Sequence, residues 1–328
     1  MREAYFIKQN KARWEAFEKT IGQGRGAQPD ELASLFLQVT DDLSFARTQY
    51  PGSRTTHYLN ALAGKLHLEI YRNKKEQTSR FITFWKSELP GIVEEAHRPM
   101  FYALVVFLLA ASIGAVSTAH DDTFVRLILG DDYVNMTLQN IRSGNPTRIY
   151  SSGGAVEMFF MITQNNIMVS FMVFVYGVFA SVGTGYYLFK NGLMVGTFLY
   201  FFYQENELAQ AFPVIMLHGT IELSAIVIAG GAGFMMGNSL LFPGTFTRLA
   251  SFKAGALKGL KIVVGLVPFF ILAGFIESFI TRYAFMHWAI KFLIIAVSAL
   301  LIIYYFVVYP YQRKLHDNIY SHRISKAA

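Results

Sequence analysis

The sequence predicts an all-α, polytopic membrane protein: about six transmembrane helices, one of them short or broken, behind a cytoplasmic N-terminal helical region. Three observations carry this. The 328 residues are 53% hydrophobic and only 16% charged, whereas a soluble domain carries about a quarter charged residues. The middle of the chain holds long apolar runs broken mainly by glycine, and mean hydropathy is +0.33. Most lysines and arginines fall before Pro99 or after Tyr309, the bias expected of segments kept on the inner side of a membrane.

Residues 1–98 read as a cytoplasmic helical region. Phe6, Trp14 and Phe17 recur at near-helical spacing among charged residues, and Gly22 to Gly26 ends that helix. Pro29, Asp30 and Glu31 suit the start of the next, where proline costs little and acids meet the positive end of the dipole. Leu32, Leu35, Phe36, Val39, Leu43 and Phe45 give it an apolar stripe. Tyr50-Pro-Gly-Ser53 is a turn signal. Tyr58, Leu59, Leu62, Leu66 and Ile70 line a third helix that ends at Lys74, Lys75 and Glu76. Phe81, Ile82, Phe84, Trp85, Leu89 and Ile92 form an aromatic stretch, interrupted near Pro90, that suits either an interfacial helix or packing against the preceding helices.

The bundle is expected over residues 99–310. Met100 to Ala119 matches the ~20 residues that cross ~30 Å of hydrocarbon. Residues 120–164 carry Asp121, Asp122, Asp131 and Asp132 and few basic residues, so they belong outside, with Met158 to Ile162 in an outer interfacial helix. A second span, Ile167 to Phe189, ends at Lys190; Asn191-Gly192 then reads as a turn, and Gly192 to Tyr203 is a short third segment. Leu208 to Phe242 is long for one span and holds Pro213 and His218-Gly219, which predicts a break near His218. Arg248, Lys253, Lys258 and Lys261 form an inner loop. Ile262 to Ile280 and Trp288 to Val308 are the last spans, and residues 311–328 a cytoplasmic basic tail. Six spans keep every basic cluster on one side.

Several function classes drop out. The net charge of +7 fits attraction to anionic lipid headgroups, and no nucleic-acid motif accompanies it. Absence of cysteine removes disulfides, thiolate metal sites and cysteine nucleophiles. Met1 to Thr20 lacks the apolar core of a signal peptide, so no cleaved leader is expected. The glycines lack a phosphate-loop pattern. No cofactor, no metal site and no enzymatic activity are expected: a zinc site needs three or four ligands, and beyond His218 and Glu222 only Glu277, Asn165 and Asn166 are further polar candidates.

Ionisable groups inside lipid are costly and so mark candidate sites. His218 and Glu222, four apart, share a helix face if the helix is continuous. That pair suits a proton relay, a cation site or a polar lock within the bundle. Glu277, near the outer end of the fifth span beside Ser278 and Thr281, reads as a further candidate or as an interfacial acid paired with Arg282. Asn165 and Asn166 open the second span as caps or site residues, and Asn191 is a turn or packing residue. Gly192 with Gly196, and Gly233 with Gly237, carry the spacing that lets helix backbones approach closely in lipid.

Taken together these residues resemble the stage II sporulation protein M (SpoIIM-like, DUF95) family. The resemblance rests on Trp14, Tyr50-Pro-Gly-Ser53, Tyr58-Leu-Asn60, His67 with Ile70-Tyr-Arg72, and Phe84-Trp-Lys-Ser-Glu88 with Pro90. In the membrane it rests on Asn166, Gly177, Asn191-Gly192 with Gly196, His218-Gly-Thr-Ile-Glu-Leu223, Gly233, and Glu277 with Phe279 and Thr281. The founding member of that family works in membrane remodelling, a task that the resemblance alone does not transfer. The basic clusters place both termini in the cytoplasm at the cytoplasmic (inner) membrane, and the glycine-rich bundle with its N-terminal helices suits a protein that organises a membrane-associated complex, as a scaffold or in membrane remodelling. The expected partners are lipids and further copies or other membrane proteins. The competing expectation is a transporter or channel using His218 and Glu222.

Overall fold

The computed structural model describes residues 2–22, 29–71, 79–151, 153–283 and 286–315, which divide into two compact units, Met1–Arg80 and Phe81–Ala328. The helix stop at Gln23–Gly26, the Lys74–Glu76 stretch and the tail from His316 onward lie outside the described residues.

The first unit is three helices: α1 (Glu3–Gly22), α2 (Pro29–Gln49) and α3 (Arg54–Tyr71). The aromatic stripe of α1 meets the leucine stripe of α2 and Leu59 and Leu62 of α3 in one apolar core. Trp14 buries its ring there and donates its indole N–H to Asp42 Oδ2 at 2.8 Å, a carboxylate that Arg13 also pairs with.

The second unit begins within α4 (Ser79–Thr83), which is followed by a π-helical turn (Phe84–Glu88) and α5 (Leu89–His120); these run on without the interruption expected near Pro90. Pro90 is the second residue after the π-helical turn, and its missing N–H leaves a carbonyl of that turn without an intrahelical donor. The wide turn before it leaves carbonyls to be satisfied from elsewhere. Trp85 O accepts from Tyr305 Oη at 2.8 Å, Lys86 O from Tyr309 Oη at 2.9 Å, and Ser87 O from Arg313.

After α5 come the short helices α6 (Phe124–Leu129) and α7 (Asp131–Arg142). The expected outer helix at Met158–Ile162 is instead the beginning of α8 (Ala155–Val175). The chain then reverses over Tyr176–Ser181 into α9 (Val182–Gln204). The second span therefore ends fourteen residues short of Phe189 in the expectation, and Lys190, Asn191 and Gly192 lie inside α9 rather than at a turn. The reversal uses Ala180 (φ 50°) and Ser181 (φ 71°).

α10 (Leu208–Leu241) is unbroken at His218. Pro213 sits in its second turn, so the lost hydrogen bond affects only the beginning of the helix. Gly219 costs about 1 kcal/mol relative to alanine, too little to break a helix buried on most of its faces. α11 (Arg248–Phe275) continues into a π-helical turn (Ile276–Thr281), and α12 (Trp288–Ile303) continues through a third (Tyr304–Val308). Among the described residues, five helices are long and apolar enough to cross a membrane: those containing α5, α8, α10, α11 and α12. α9 is less apolar but 23 residues long, about 34 Å.

Glycine contacts give the helix directions. A Cβ on Gly192 or Gly196 of α9 would strike the carbonyls of Phe107 and Ala111 of α5, so these helices run parallel with close backbones. Gly230, Gly233 and Gly237 of α10 face Leu188, Thr184 and Ser181 in descending order, which makes α9 and α10 antiparallel. Gly255 and Gly259 of α11 face Ser239 and Ala232 of α10, again antiparallel. One end of the bundle thus gathers the ion pairs Lys258–Glu95, Lys261–Glu88 and Lys314–Glu94. The opposite end gathers α6, α7 and the acids Asp121, Asp122, Asp131 and Asp132.

Candidate functional site

Three membrane-embedded ionisable side chains converge between α10 and the end of α11. His218 lies one turn before Glu222 on the unbroken α10, so both project to one face. The π-helical turn after α11 carries Glu277 and Thr281 to that face. Such turns insert an extra residue and re-aim side chains, and they recur at functional sites. His218 Nε2 stands 3.8 Å from Glu277 Oε1, and His218 Nδ1 is 3.4 Å from Thr281 Oγ1. One ligand atom from each of His218, Glu222 and Glu277 can be chosen so that all lie within 4.8 Å of one another. From α8, Asn166 donates its amide to Glu222 Oε1 at 2.5 Å.

The cluster is sequestered: the side chains of His218 and Glu277 are 7% and 12% exposed. It is not sealed. A cavity of 350 Å³ between α6 and α7 on one side and α9 and α10 on the other has His218 and Glu222 in its wall. Tyr133 of α7 lines the same cavity, and burial pushes its phenol up to about 12, so it remains protonated and able to donate. Gly219 also faces this cavity, and a Cβ there would meet nothing nearer than 3.9 Å.

The structure thus gathers His218, Glu222, Glu277 and Asn166 into one site. It separates Asn191, whose amide bonds the Tyr187 carbonyl of its own helix at 2.8 Å. Two expectations change. Glu277 is not an interfacial acid paired with Arg282, because the π-turn directs it inward while Arg282 donates to Gly153 O at 2.9 Å. Asn166 caps no helix, since α8 begins eleven residues before it. Tyr133 was not foreseen; an aromatic within an acidic outer segment carries no sequence mark of a cavity wall. The packing glycines Gly192, Gly196, Gly233 and Gly237 are all seam positions, each with backbone or side-chain atoms under 3 Å from a Cβ built there.

Chemically, a buried imidazole beside two carboxylates can hold protons or a cation, and each exchange changes the charge inside the bundle. The family model for stage II sporulation protein M matches residues 103–282, more than half of the chain and all of this site. A second model, a domain of unknown function (DUF8413), matches residues 4–72, within the first unit. No significant match arises with curated proteins or with solved structures.

Proposed function

Given that this chain belongs to the stage II sporulation protein M family, we propose that it is a multi-pass membrane protein that takes a cation into the His218–Glu222–Glu277 site and serves as a carrier or channel. The observation that carries this reading is the cavity that has His218 and Glu222 in its wall. A polar lock needs its acids spent in direct hydrogen bonds and shut away from solvent, whereas a cation pathway needs an acid that can be approached from one side. Asp121 and Asp122 before α6 and Asp131 and Asp132 of α7 lie at the same end of the bundle as that cavity, where acids raise the local concentration of cations. With the basic end of the bundle turned to the cytoplasm by the positive-inside rule, this acidic end faces outward and both termini lie inside, in the cytoplasmic membrane.

Reconstitution into liposomes tests the reading. Cation or proton flux is expected for the parent and lost in Glu222→Gln, with both proteins inserted equally. Flux in the variant equal to that of the parent refutes it.

A second reading is supported by the first unit, which is compact and matches a family model of its own. In it the protein organises a membrane-associated complex or remodels the membrane without enzymatic activity, contacting lipids and further copies or other membrane proteins. Crosslinking in native membranes followed by mass spectrometry separates the two: recovery of isolated monomers alone refutes the organising role.

A further inference from the structure

Resting on the cation reading above, we infer that His218, Glu222 and Glu277 bind one divalent first-row transition-metal ion, of the zinc or manganese class, reached through the cavity under α6 and α7. The donor set carries the first part of the argument. One imidazole nitrogen and two carboxylates suit a borderline ion; calcium takes six to eight oxygens and magnesium keeps several waters. Donors around a tetrahedral ion with bonds of about 2.0–2.1 Å stand about 3.3 Å apart. His218 Nε2 and Glu277 Oε1 are 3.8 Å apart and the whole set lies within 4.8 Å, so side-chain adjustment suffices to close it.

Charge carries the second part. With both carboxylates ionised and the imidazole neutral the set carries −2, which a divalent ion cancels, whereas a monovalent ion leaves the site neutral only if one acid keeps its proton. The supporting contacts fit the same purpose. Thr281 Oγ1 sits at Nδ1 of His218, leaving Nε2 turned to Glu277. Asn166 holds one oxygen of Glu222, leaving the other for the ion. Outer partners of this kind orient metal ligands and set their tautomer. The cavity leaves room for a water or substrate oxygen in the remaining position.

The test uses the full chain purified in detergent, stripped with EDTA and dialysed against zinc or manganese, with bound metal counted by mass spectrometry. One ion per chain is expected for the parent, with protons released on binding. Affinity falls tenfold or more in Glu277→Gln and Glu222→Gln, and about tenfold in Asn166→Ala. Asn191→Ala binds as the parent does. Absence of stoichiometric binding by the parent, or equal binding by the glutamate variants, overturns the inference. Should those variants fail to fold, cobalt loading of the parent decides: a four-coordinate visible spectrum supports the site, and its absence refutes it. If the parent binds no metal but its flux is abolished by Glu222→Gln, the metal assignment fails while the cation reading stands. Metal binding without flux supports this inference and refutes the transport reading.

Discussion

Gly196→Ala and Gly185→Ala are the same substitution on the same helix, with opposite expected outcomes. A Cβ at Gly196 would sit 1.8 Å from the carbonyl oxygen of Ala111, 2.6 Å from its carbonyl carbon and 2.8 Å from its Cα. All three are backbone atoms, so no rotamer change relieves them and α5 and α9 must part. Ordinary contact begins at 3.4 Å, leaving a shortfall of about 1.6 Å, enough to forfeit most of the dispersion energy across a packed seam. Gly192 and Gly114 share that seam, with clashes at 2.4 and 2.3 Å of their own, so the loss spreads along it. Overpacking of this kind costs about 1–3 kcal/mol, and here the upper end applies. At Gly185 the nearest atom is a Phe234 ring carbon at 4.0 Å. Alanine there fits, and replacing this first-turn glycine of α9 with alanine stabilises by about 0.4–1 kcal/mol through the unfolded chain's lost freedom. Thermal unfolding of the two purified variants in one detergent measures both. If they shift together, in either direction, the close parallel packing of α5 on α9 is wrong.

Three further outcomes follow from the geometry. Gly219→Ala leaves stability equal to or above the parent, because its Cβ meets only ordinary van der Waals contacts at 3.9 and 4.0 Å, and slows flux by narrowing the cavity; a stability loss above about 1 kcal/mol in thermal unfolding contradicts that placement. Tyr309→Phe removes the donor to Lys86 O and costs about 1 kcal/mol, with faster amide exchange near Pro90 by mass spectrometry; unchanged exchange and stability count against the bond. Because the chain has no cysteine, Asp122→Cys and Lys253→Cys each give a single label site. An impermeant maleimide on intact cells is expected to reach the first and not the second, and equal labelling overturns the topology.

The transmembrane fold was legible where hydropathy and charge act over many residues. Met100–Ala119 falls within α5 and Leu208–Phe242 is α10 almost to the residue, because crossing ~30 Å of hydrocarbon demands long apolar runs. The α8–α9 reversal was illegible for a local reason. It is built from Ala180 and Ser181 in the left-handed region, where turn propensities favour glycine or asparagine. The Asn191-Gly192 pair, which carries the turn signal, is helical, and Gly192 there serves the close approach to the Phe107 carbonyl instead of a turn. At the site, the spacing of His218 and Glu222 was enough to pair them. Glu277 lies 55 residues beyond Glu222, and its inward aim depends on a π-turn that no sequence periodicity announces.

The three carbonyls ahead of Pro90 have a bearing on biogenesis. Their donors, Tyr305, Tyr309 and Arg313, are spaced by four along one helical face, and the ribosome makes them more than two hundred residues later. A nascent chain released as far as α11 therefore holds its earliest membrane helix with a frayed, water-seeking start. Arrival of α12 closes the ring between first and final helices, so the bundle reaches its finished hydrogen-bond inventory only after synthesis of that helix.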